Sequence, residues 1–180
     1  MNTKPPAPAA AGAPAAPTRE ILLGNEAVAH GILASGATVV ASYPGTPASE
    51  VCETAMRLAR AGKMPVHVEW SINEKTAFEI AFTNSITGRR SAAIMKQVGL
   101  NVASDPVMSS AYMGVTGGLL LVVADDPGPH SSQTEQDTRL FAIHAKLPVL
   151  DPMSPREALE MTMQAYEFSE RYKTPVILRP

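Results

Sequence analysis

From residue 20 onwards, short apolar runs alternate with longer segments of helical period, and this alternation restricts the fold more than any other feature. It is typical of βαβ units, in which helices connect parallel strands. Several of the runs, such as GLLLVVAD at 118–125, are apolar throughout, as strands covered on both faces must be. The predicted strands are 38–44, 65–71, 91–96, 118–125, 148–151 and 175–180.

Segments of helical period fill most of the intervals between these runs. The last of them opens with Ser154 and Pro155, a capping residue followed by a proline that fits the first helical turn. The sequence therefore predicts an α/β domain with an open, doubly wound, mostly parallel sheet of about six strands and helices on both faces. The predicted helices are 25–35, 47–61, 74–87, 102–113 and 155–171.

Residues 1–18 differ in composition from the rest of the chain, because they are nearly all proline, alanine and small polar residues. Such a segment buries too little surface to offset the loss of chain entropy on folding. We therefore expect a disordered tail at 1–18 and one α/β domain at 19–180.

The charge and cysteine content exclude several classes of protein. A net charge of −2 without long Lys/Arg runs gives no attraction to nucleic acid or to an anionic membrane. Cys52 is the only cysteine, which excludes an intrachain disulfide and any zinc or iron–sulfur site built from this chain's own thiols. The apolar runs are shorter than the ~18 residues that indicate a membrane span. We expect a cytoplasmic protein without a nucleic-acid or membrane partner.

Polar or glycine-containing segments follow four of the predicted strands. They are YPGTP at 43–47, SINEK at 71–75, QVGLN at 97–101 and DDPGPHSSQTEQDTR at 125–139. In open parallel sheets, ligands bind outside the carboxyl ends of the strands. We therefore expect these four segments to meet at one edge of the sheet and to form a site there.

Three of these segments also have a purely structural explanation. Thr46 is predicted to cap the next helix with Pro47 in its first turn, a role that is compatible with a ligand contact. Gly99 is typical of a tight turn between a strand and a helix. The fourth segment is also explained by a solvated loop with turn residues at DDPG, although His130 is the only histidine placed to titrate at this edge.

Glu74 has a structural explanation as well, but its surroundings argue against a simple one. Asn73 is a good helix cap, and an acid in the first turn of a helix is favoured by ~0.3–1 kcal/mol. Apolar residues flank it on both sides, in VHVEW before and TAFEIAF after. A carboxylate in a partly enclosed position is costly unless it is paired or protonated.

These four segments, together with GNEAVAHG at 24–31, resemble the pyrimidine-binding domain of thiamine diphosphate enzymes. The resemblance is greatest to 2-oxoacid:ferredoxin oxidoreductases of the indolepyruvate type, and it covers residues 20–180. It implies the thiamine diphosphate-binding fold. It also implies a place in an enzyme that decarboxylates a 2-oxoacid oxidatively and forms an acyl-CoA.

The resemblance implies a role for each of several residues. Glu74 would be catalytic, because in this superfamily a Glu at a strand-to-helix turn hydrogen-bonds N1′ of the cofactor's aminopyrimidine and so promotes loss of the thiazolium C2 proton. Thr46, Gly99 and Asn101 would join Glu74 in binding the cofactor. The substrate side would be formed by Tyr43, His130 and Gln133.

The second half of such a site binds the diphosphate through Mg²⁺, with a Gly-Asp-Gly run that does not occur in this sequence. The resemblance therefore implies that another chain, or sequence beyond Pro180, completes the site and supplies Mg²⁺ and the iron–sulfur clusters. No metal ligand is expected in this chain. The implied partners are the diphosphate-binding domain or subunit, ferredoxin, the 2-oxoacid and coenzyme A.

Two other functions remain open at this stage. A pyrimidine-binding subunit of a non-oxidative 2-oxoacid decarboxylase, of the sulfopyruvate decarboxylase kind, would agree with the short length and the lack of cysteine clusters. A non-catalytic binding domain on the same scaffold is the third hypothesis, since a fold alone does not determine function. The presence of Glu74 favours the two catalytic hypotheses.

Overall fold

A computed structural model of the chain describes residues 20–180, so the tail predicted at 1–18 lies outside the described residues. These residues form one sheet of six strands in the order β2-β1-β3-β4-β6-β5, and every neighbouring pair is parallel. The predicted sheet is confirmed and is parallel throughout. The strands are β1 Val39–Ser42, β2 His67–Trp70, β3 Ser91–Lys96, β4 Leu119–Ala124, β5 Val149–Leu150 and β6 Val176–Leu178.

Six helices cover this sheet, three on each face. On one face, α1, α2 and α6 pack against inward side chains such as Val40, Ile94 and Val122. On the other face, α3, α4 and α5 pack against Met95, Leu121 and the neighbouring inward residues. The helices are α1 Gly24–Ala34, α2 Ser49–Gly62, α3 Glu74–Ile86, α4 Gln97–Met113, α5 Thr138–Ala145 and α6 Pro155–Tyr172.

The core explains why the strands of the sheet centre are apolar throughout. All six residues of β4 are buried, and they alternate between the two cores, with Leu120 facing α1, α2 and α6 and Leu121 facing α3, α4 and α5. Burying one such side chain stabilises the fold by roughly 1.5–3 kcal/mol. The two-sided burial is therefore the main source of stability at the centre of the sheet.

Three helices differ from the prediction by more than one residue at an end. The fourth helix begins at Gln97, directly after β3, so the predicted QVGLN turn is wrong and Gly99 lies inside α4. Helix α5 was not predicted, because it spans only eight residues within a polar segment. Helix α2 begins at Ser49 with Ala48 as its N-cap and no side-chain cap, so the prediction that Thr46 caps this helix is wrong.

The outer strand β2 pairs only with β1 and leaves its other edge open among the described residues. Two of its four residues carry ionisable side chains, and His67 Nε2 lies 2.6 Å from Glu69 Oε2.

Within residues 20–180, no helix combines the length and the apolar character that crossing a membrane requires.

Candidate functional site

The neighbouring strands β1 and β3 are the point at which the strand order reverses: the chain continues from β1 outwards to β2, and from β3 in the opposite direction to β4. After β1 the chain enters α2 on one face, whereas after β3 it enters α4 on the opposite face. In folds of this kind, the divergence of two such helices creates a crevice outside the carboxyl ends of the strands, and ligands bind in it. The site is therefore sought among the residues that follow these two strands and among their neighbours.

Glu74 lies at this crevice as the first residue of α3. Asn73 is the N-cap, and its Oδ1 accepts a hydrogen bond from the Thr76 amide at 2.8 Å. Only 9% of Glu74 is exposed, and its carboxylate makes no hydrogen bond with any residue between 20 and 180. A carboxylate in this position has free acceptor capacity that a ligand could use.

Gly99, in the first turn of α4, is in direct contact with the Glu74 side chain. A Cβ atom placed on Gly99 would lie 2.5 Å from Glu74 Oε1 and 2.7 Å from Glu74 Cγ. The backbone of α4 therefore forms one wall beside the carboxylate. Glycine in a helix interior costs ~0.5–1 kcal/mol relative to alanine, so this wall is made at the expense of helix stability.

The YPGTP segment forms a turn ahead of α2 that is tied down at several points. Its Thr46–Pro47 peptide is cis. The Gly45 amide donates to Ser49 Oγ at 2.9 Å, and Asn25 Nδ2 of α1 donates to the Pro47 carbonyl at 2.8 Å. The Thr46 side chain is exposed next to the crevice.

The fourth segment contacts this turn across the crevice. Ser131 Oγ donates a hydrogen bond to the Thr46 carbonyl at 3.2 Å. The segment is held in shape by Asp126, which accepts from the backbone amides of Ser131 at 2.8 Å and of His130 at 3.2 Å. These backbone amides, the Ser131 amide foremost, lower the pKa of Asp126 to about 2. Asp126 therefore has a structural task within the segment.

Asp125 also has a structural task, because it is buried at the end of β4 with three donors around it. Arg179 Nε donates to Asp125 Oδ2 at 2.6 Å, and the Thr138 amide donates to the same oxygen at 3.1 Å. The Thr138 hydroxyl donates to Asp125 Oδ1. The acidic pair at the start of the fourth segment thus fixes the loop and the beginning of α5.

Gln97 is a polar residue of the crevice that the sequence analysis did not single out. It is 1% exposed, and its Nε2 donates to the Thr134 carbonyl at 3.2 Å, so it links α4 to the fourth segment. Its Oε1 is buried and has no hydrogen-bond partner within residues 20–180. Its position directly after β3 was the available signal.

Lys96, the last residue of β3, is a second residue that the sequence analysis did not single out. Its side chain lies along the YPGTP turn, since a Cβ atom on Gly45 would be 3.2 Å from both Cγ and Cδ of Lys96. No acidic side chain between residues 20 and 180 forms an ion pair with Lys96. A cation at the edge of the crevice is therefore available to an anionic ligand.

The structure brings some of the predicted site residues together and leaves others apart. Glu74 and Gly99 are in contact, and Thr46 lies beside the fourth segment. The side chains of Tyr43, His130 and Gln133 are exposed on the loops around the crevice, and they are not in contact with Glu74 in any hydrogen bond of the described chain. Asn101 is exposed on α4.

The residues present fit one part of a cofactor better than a metal ion. Within residues 20–180, no group of three or more His, Cys, Asp or Glu side chains is arranged to hold a metal ion. By contrast, Glu74 is 9% exposed beside Gly99 in the first turn of α4, and its carboxylate accepts no hydrogen bond from residues 20–180. Such an acceptor suits a planar ring whose nitrogen shares or donates a proton.

Comparison with known proteins agrees with this geometry. Residues 30–179 match the family model described as "Pyruvate flavodoxin/ferredoxin oxidoreductase, thiamine diP-bdg". The chain belongs to this family. The resemblance inferred from the strand-end motifs is therefore confirmed, and the domain is a thiamine diphosphate-binding domain of the oxidoreductase family.

Individual relatives of this oxidoreductase family match most of the chain. The indolepyruvate oxidoreductase subunits IorA of Archaeoglobus fulgidus and Thermococcus kodakarensis are both 52% identical to it, over 88% and 89% of this chain. The ketoisovalerate oxidoreductase subunit VorB of Methanothermobacter thermautotrophicus is 25% identical over 88% of this chain and 46% of its own. The chain spans about a quarter of the IorA subunits, 26% and 25% of their lengths.

A solved structure of the family confirms the fold. The 2-oxoglutarate:ferredoxin oxidoreductase from Magnetococcus marinus, with 2-oxoglutarate, coenzyme A and succinyl-CoA bound, superposes with a TM-score of 0.77. The match covers 88% of this chain and 28% of that one, at 22% identity. At this identity the likeness establishes the architecture, and the chemistry of the site is argued from the residues themselves.

Proposed function

We propose that this chain is the pyrimidine-binding part of a thiamine diphosphate-dependent 2-oxoacid:ferredoxin oxidoreductase that acts on indolepyruvate or another arylpyruvate. The observation that carries the proposal is the Glu74 carboxylate, which is buried at the crevice and has no partner within residues 20–180. The 52% identity to the IorA subunits favours an arylpyruvate over the substrate named for the more distant VorB subunit.

Glu74 is proposed to share a proton with ring nitrogen N1′ of the aminopyrimidine. Glu74 is 9% exposed, and its carboxylate accepts no hydrogen bond from residues 20–180, so its oxygens are free to accept one from the ring. Bound thiamine diphosphate would supply a carbon nucleophile for attack on the keto carbon of the 2-oxoacid. In the complete reaction, carbon dioxide leaves and two electrons pass to ferredoxin while the acyl group is transferred to coenzyme A.

The remaining predicted residues keep the roles that the resemblance implies. Thr46 and Asn101 are proposed to bind the cofactor, with Gly99 beside it. The exposed side chains of Tyr43 and His130 are proposed to face the substrate, together with Gln133. The second half of the site, with the diphosphate, Mg²⁺ and the iron–sulfur clusters, is proposed to lie in another domain or subunit, in agreement with the quarter of the relatives' length that this chain spans. A cytoplasmic location is part of the same proposal.

Glu74→Gln in the assembled enzyme tests this function. We expect turnover to fall by at least ~100-fold while the variant folds normally, because glutamine cannot share the proton. Glu79→Gln is the matched control, since Glu79 lies on the exposed side of the same helix, where its carboxylate is 4.0 Å from Lys75 Nζ. Normal turnover in Glu74→Gln would refute the proposed role.

A second experiment distinguishes the oxidoreductase from the non-oxidative decarboxylase. The assembled enzyme should reduce ferredoxin only when both the 2-oxoacid and coenzyme A are present. Release of an aldehyde without reduction of ferredoxin would assign the chain to the decarboxylase instead. Isothermal titration of this chain alone with thiamine diphosphate and Mg²⁺ should show weak binding, and tight Mg²⁺-dependent binding would contradict a site shared with another domain.

A further inference from the structure

We propose that Gly99 is a positioning residue for Glu74. The absence of a side chain at position 99 leaves room for the Glu74 carboxylate at the mouth of the crevice, and any larger residue at position 99 would displace that carboxylate. The inference rests on the proposed function of Glu74. In this role Gly99 affects catalysis by positioning the Glu74 carboxylate, which is different from contacting the cofactor's rings itself.

The close approach of the two residues is the first support. A Cβ atom on Gly99 would lie 2.5 Å from Oε1, 2.7 Å from Cγ and 2.9 Å from Cδ of Glu74. These are the three nearest atoms, and real Cβ contacts essentially never fall below 3.0 Å. The space that Gly99 leaves open is therefore occupied by one side chain, the proposed proton-sharing acid.

The backbone conformation is the second support. Within residues 20–180, the glycines with a positive φ are Gly36, Gly88, Gly114 and Gly128, and Gly99 is not among them. Gly99 lies in α4, where alanine is a better helix former. Conformational freedom thus gives no reason for a glycine here, and the reason that remains is steric.

The third support is the kind of atom that an added methyl group would meet. The three atoms that it would meet, Oε1, Cγ and Cδ, all belong to the Glu74 side chain at the start of α3, and none belongs to the backbone, so a rotation about the side-chain bonds of Glu74 would relieve the contact. Alanine at position 99 should therefore be accommodated by displacement of the acid. The fold should survive, and the proton-sharing geometry should not.

Gly31 provides a matched control for a glycine with a packing role. A Cβ atom on Gly31 would lie 2.7 Å from Thr162 Cβ and 3.1 Å from the Leu159 carbonyl oxygen, where α1 packs on α6. These are fixed atoms of a buried helix contact. Gly31→Ala should lower the melting temperature, whereas Gly99→Ala should leave it equal to or above that of the unchanged enzyme.

The experiment compares Gly99→Ala, Gly31→Ala, Glu74→Gln and the double variant Gly99→Ala/Glu74→Gln in the assembled holoenzyme. We expect Gly99→Ala to lower kcat at least ~10-fold with less than ~3-fold change in KM for the 2-oxoacid, and to retain its melting temperature. A crystal structure should show Glu74 in a different rotamer. Adding Gly99→Ala to Glu74→Gln should cause almost no further loss, because both changes remove the same interaction.

Three results would overturn the inference: an unchanged kcat in Gly99→Ala, a lowered melting temperature with Glu74 still in place, or fully additive losses in the double variant. Failure of the proposed function itself gives a different pattern. In that case Glu74→Gln alone would retain turnover, whatever the behaviour of Gly99→Ala.

Discussion

Arg179 Nε donates to Asp125 Oδ2 at 2.6 Å and thereby ties the end of β6 to the end of β4. The Asp125 side chain is 3% exposed and that of Arg179 is 19% exposed, so water screens this pair little. The same carboxylate holds the first residue of α5 through Thr138. Asp125 therefore holds together the ends of β4 and β6 and the start of α5, and the fourth segment extends from these ends towards the crevice.

Asp125→Ala should lower the free energy of unfolding by about 2 kcal/mol, because it leaves Arg179 Nε and the Thr138 donors without their acceptor, while Arg179 Nη1 keeps its ion pair with Asp151. Guanidinium unfolding followed by circular dichroism measures the change. Arg156→Ala is the control, since the Arg156 side chain is 86% exposed and pairs with Glu160 on the surface of α6. That control should change the stability by less than ~0.5 kcal/mol.

Asp126 should remain ionised in acid. Its pKa in the folded chain is lowered from 3.8 to about 2 by the amides of the fourth loop. Because the folded value lies below the unfolded one, the stabilisation is complete above about pH 4 and is lost as the pH falls towards 2. Carbon-13 NMR of the Asp126 carboxyl should give a midpoint near pH 2. A midpoint near pH 4 would show that the backbone amides do not stabilise the Asp126 carboxylate.

Cys52 should resist thiol reagents in the folded protein. The thiol is fully buried in α2, and burial raises its pKa to about 12, so almost no thiolate is present at neutral pH. Mass spectrometry after iodoacetamide treatment at pH 8 should find no adduct on the native chain and one adduct on the unfolded chain, which has a single cysteine. Rapid labelling of the native protein would contradict the described packing.

Lys96→Met should weaken substrate binding in the assembled enzyme. Lys96 has no ion-pair partner within residues 20–180; if its ammonium holds the 2-oxoacid carboxylate, its loss removes a charge-assisted hydrogen bond and should raise KM by about 10- to 100-fold. Lys63→Asn is the control: Lys63 lies before β2 at the other end of the sheet, and asparagine tolerates its left-handed backbone. A raised KM for coenzyme A alone would assign Lys96 to that ligand instead.

Much of the fold was predictable because two-sided burial marks the strands directly. The run at 91–96 was placed to the residue, since five of its six residues are buried between two layers of helices. The start of α4 was not predictable in this way. Gly99 has the properties of a turn residue in the sequence, and only its contact with Glu74, 25 positions earlier in the chain, explains a glycine inside a helix.

The candidate site was predictable to a similar extent. Glu74 stood out because an acid between two apolar runs needs a reason, whereas Lys96 closes a predicted strand and Gln97 opens the QVGLN segment, in which Gly99 was the more distinctive residue. For Asp125 and Asp126 the sequence suggested a functional role, whereas the structure gives both residues a structural one. They had the residue types of a functional loop, but their partners, Arg179 and the loop's own amides, are revealed only by the fold.

Within residues 20–180, the outer edge of β2 is unpaired, and this affects how copies of the chain associate with one another. An exposed strand edge invites a second copy to add its own strand, which is the first step of many aggregates. Any such addition to β2 would bring the charges of Glu69 and of its counterpart into a new sheet, and the strand is only four residues long. Glu69→Val should therefore increase light scattering on concentration. The ionisable side chains of His67 and Glu69 on this outer strand thus oppose polymerisation of the chain through β2.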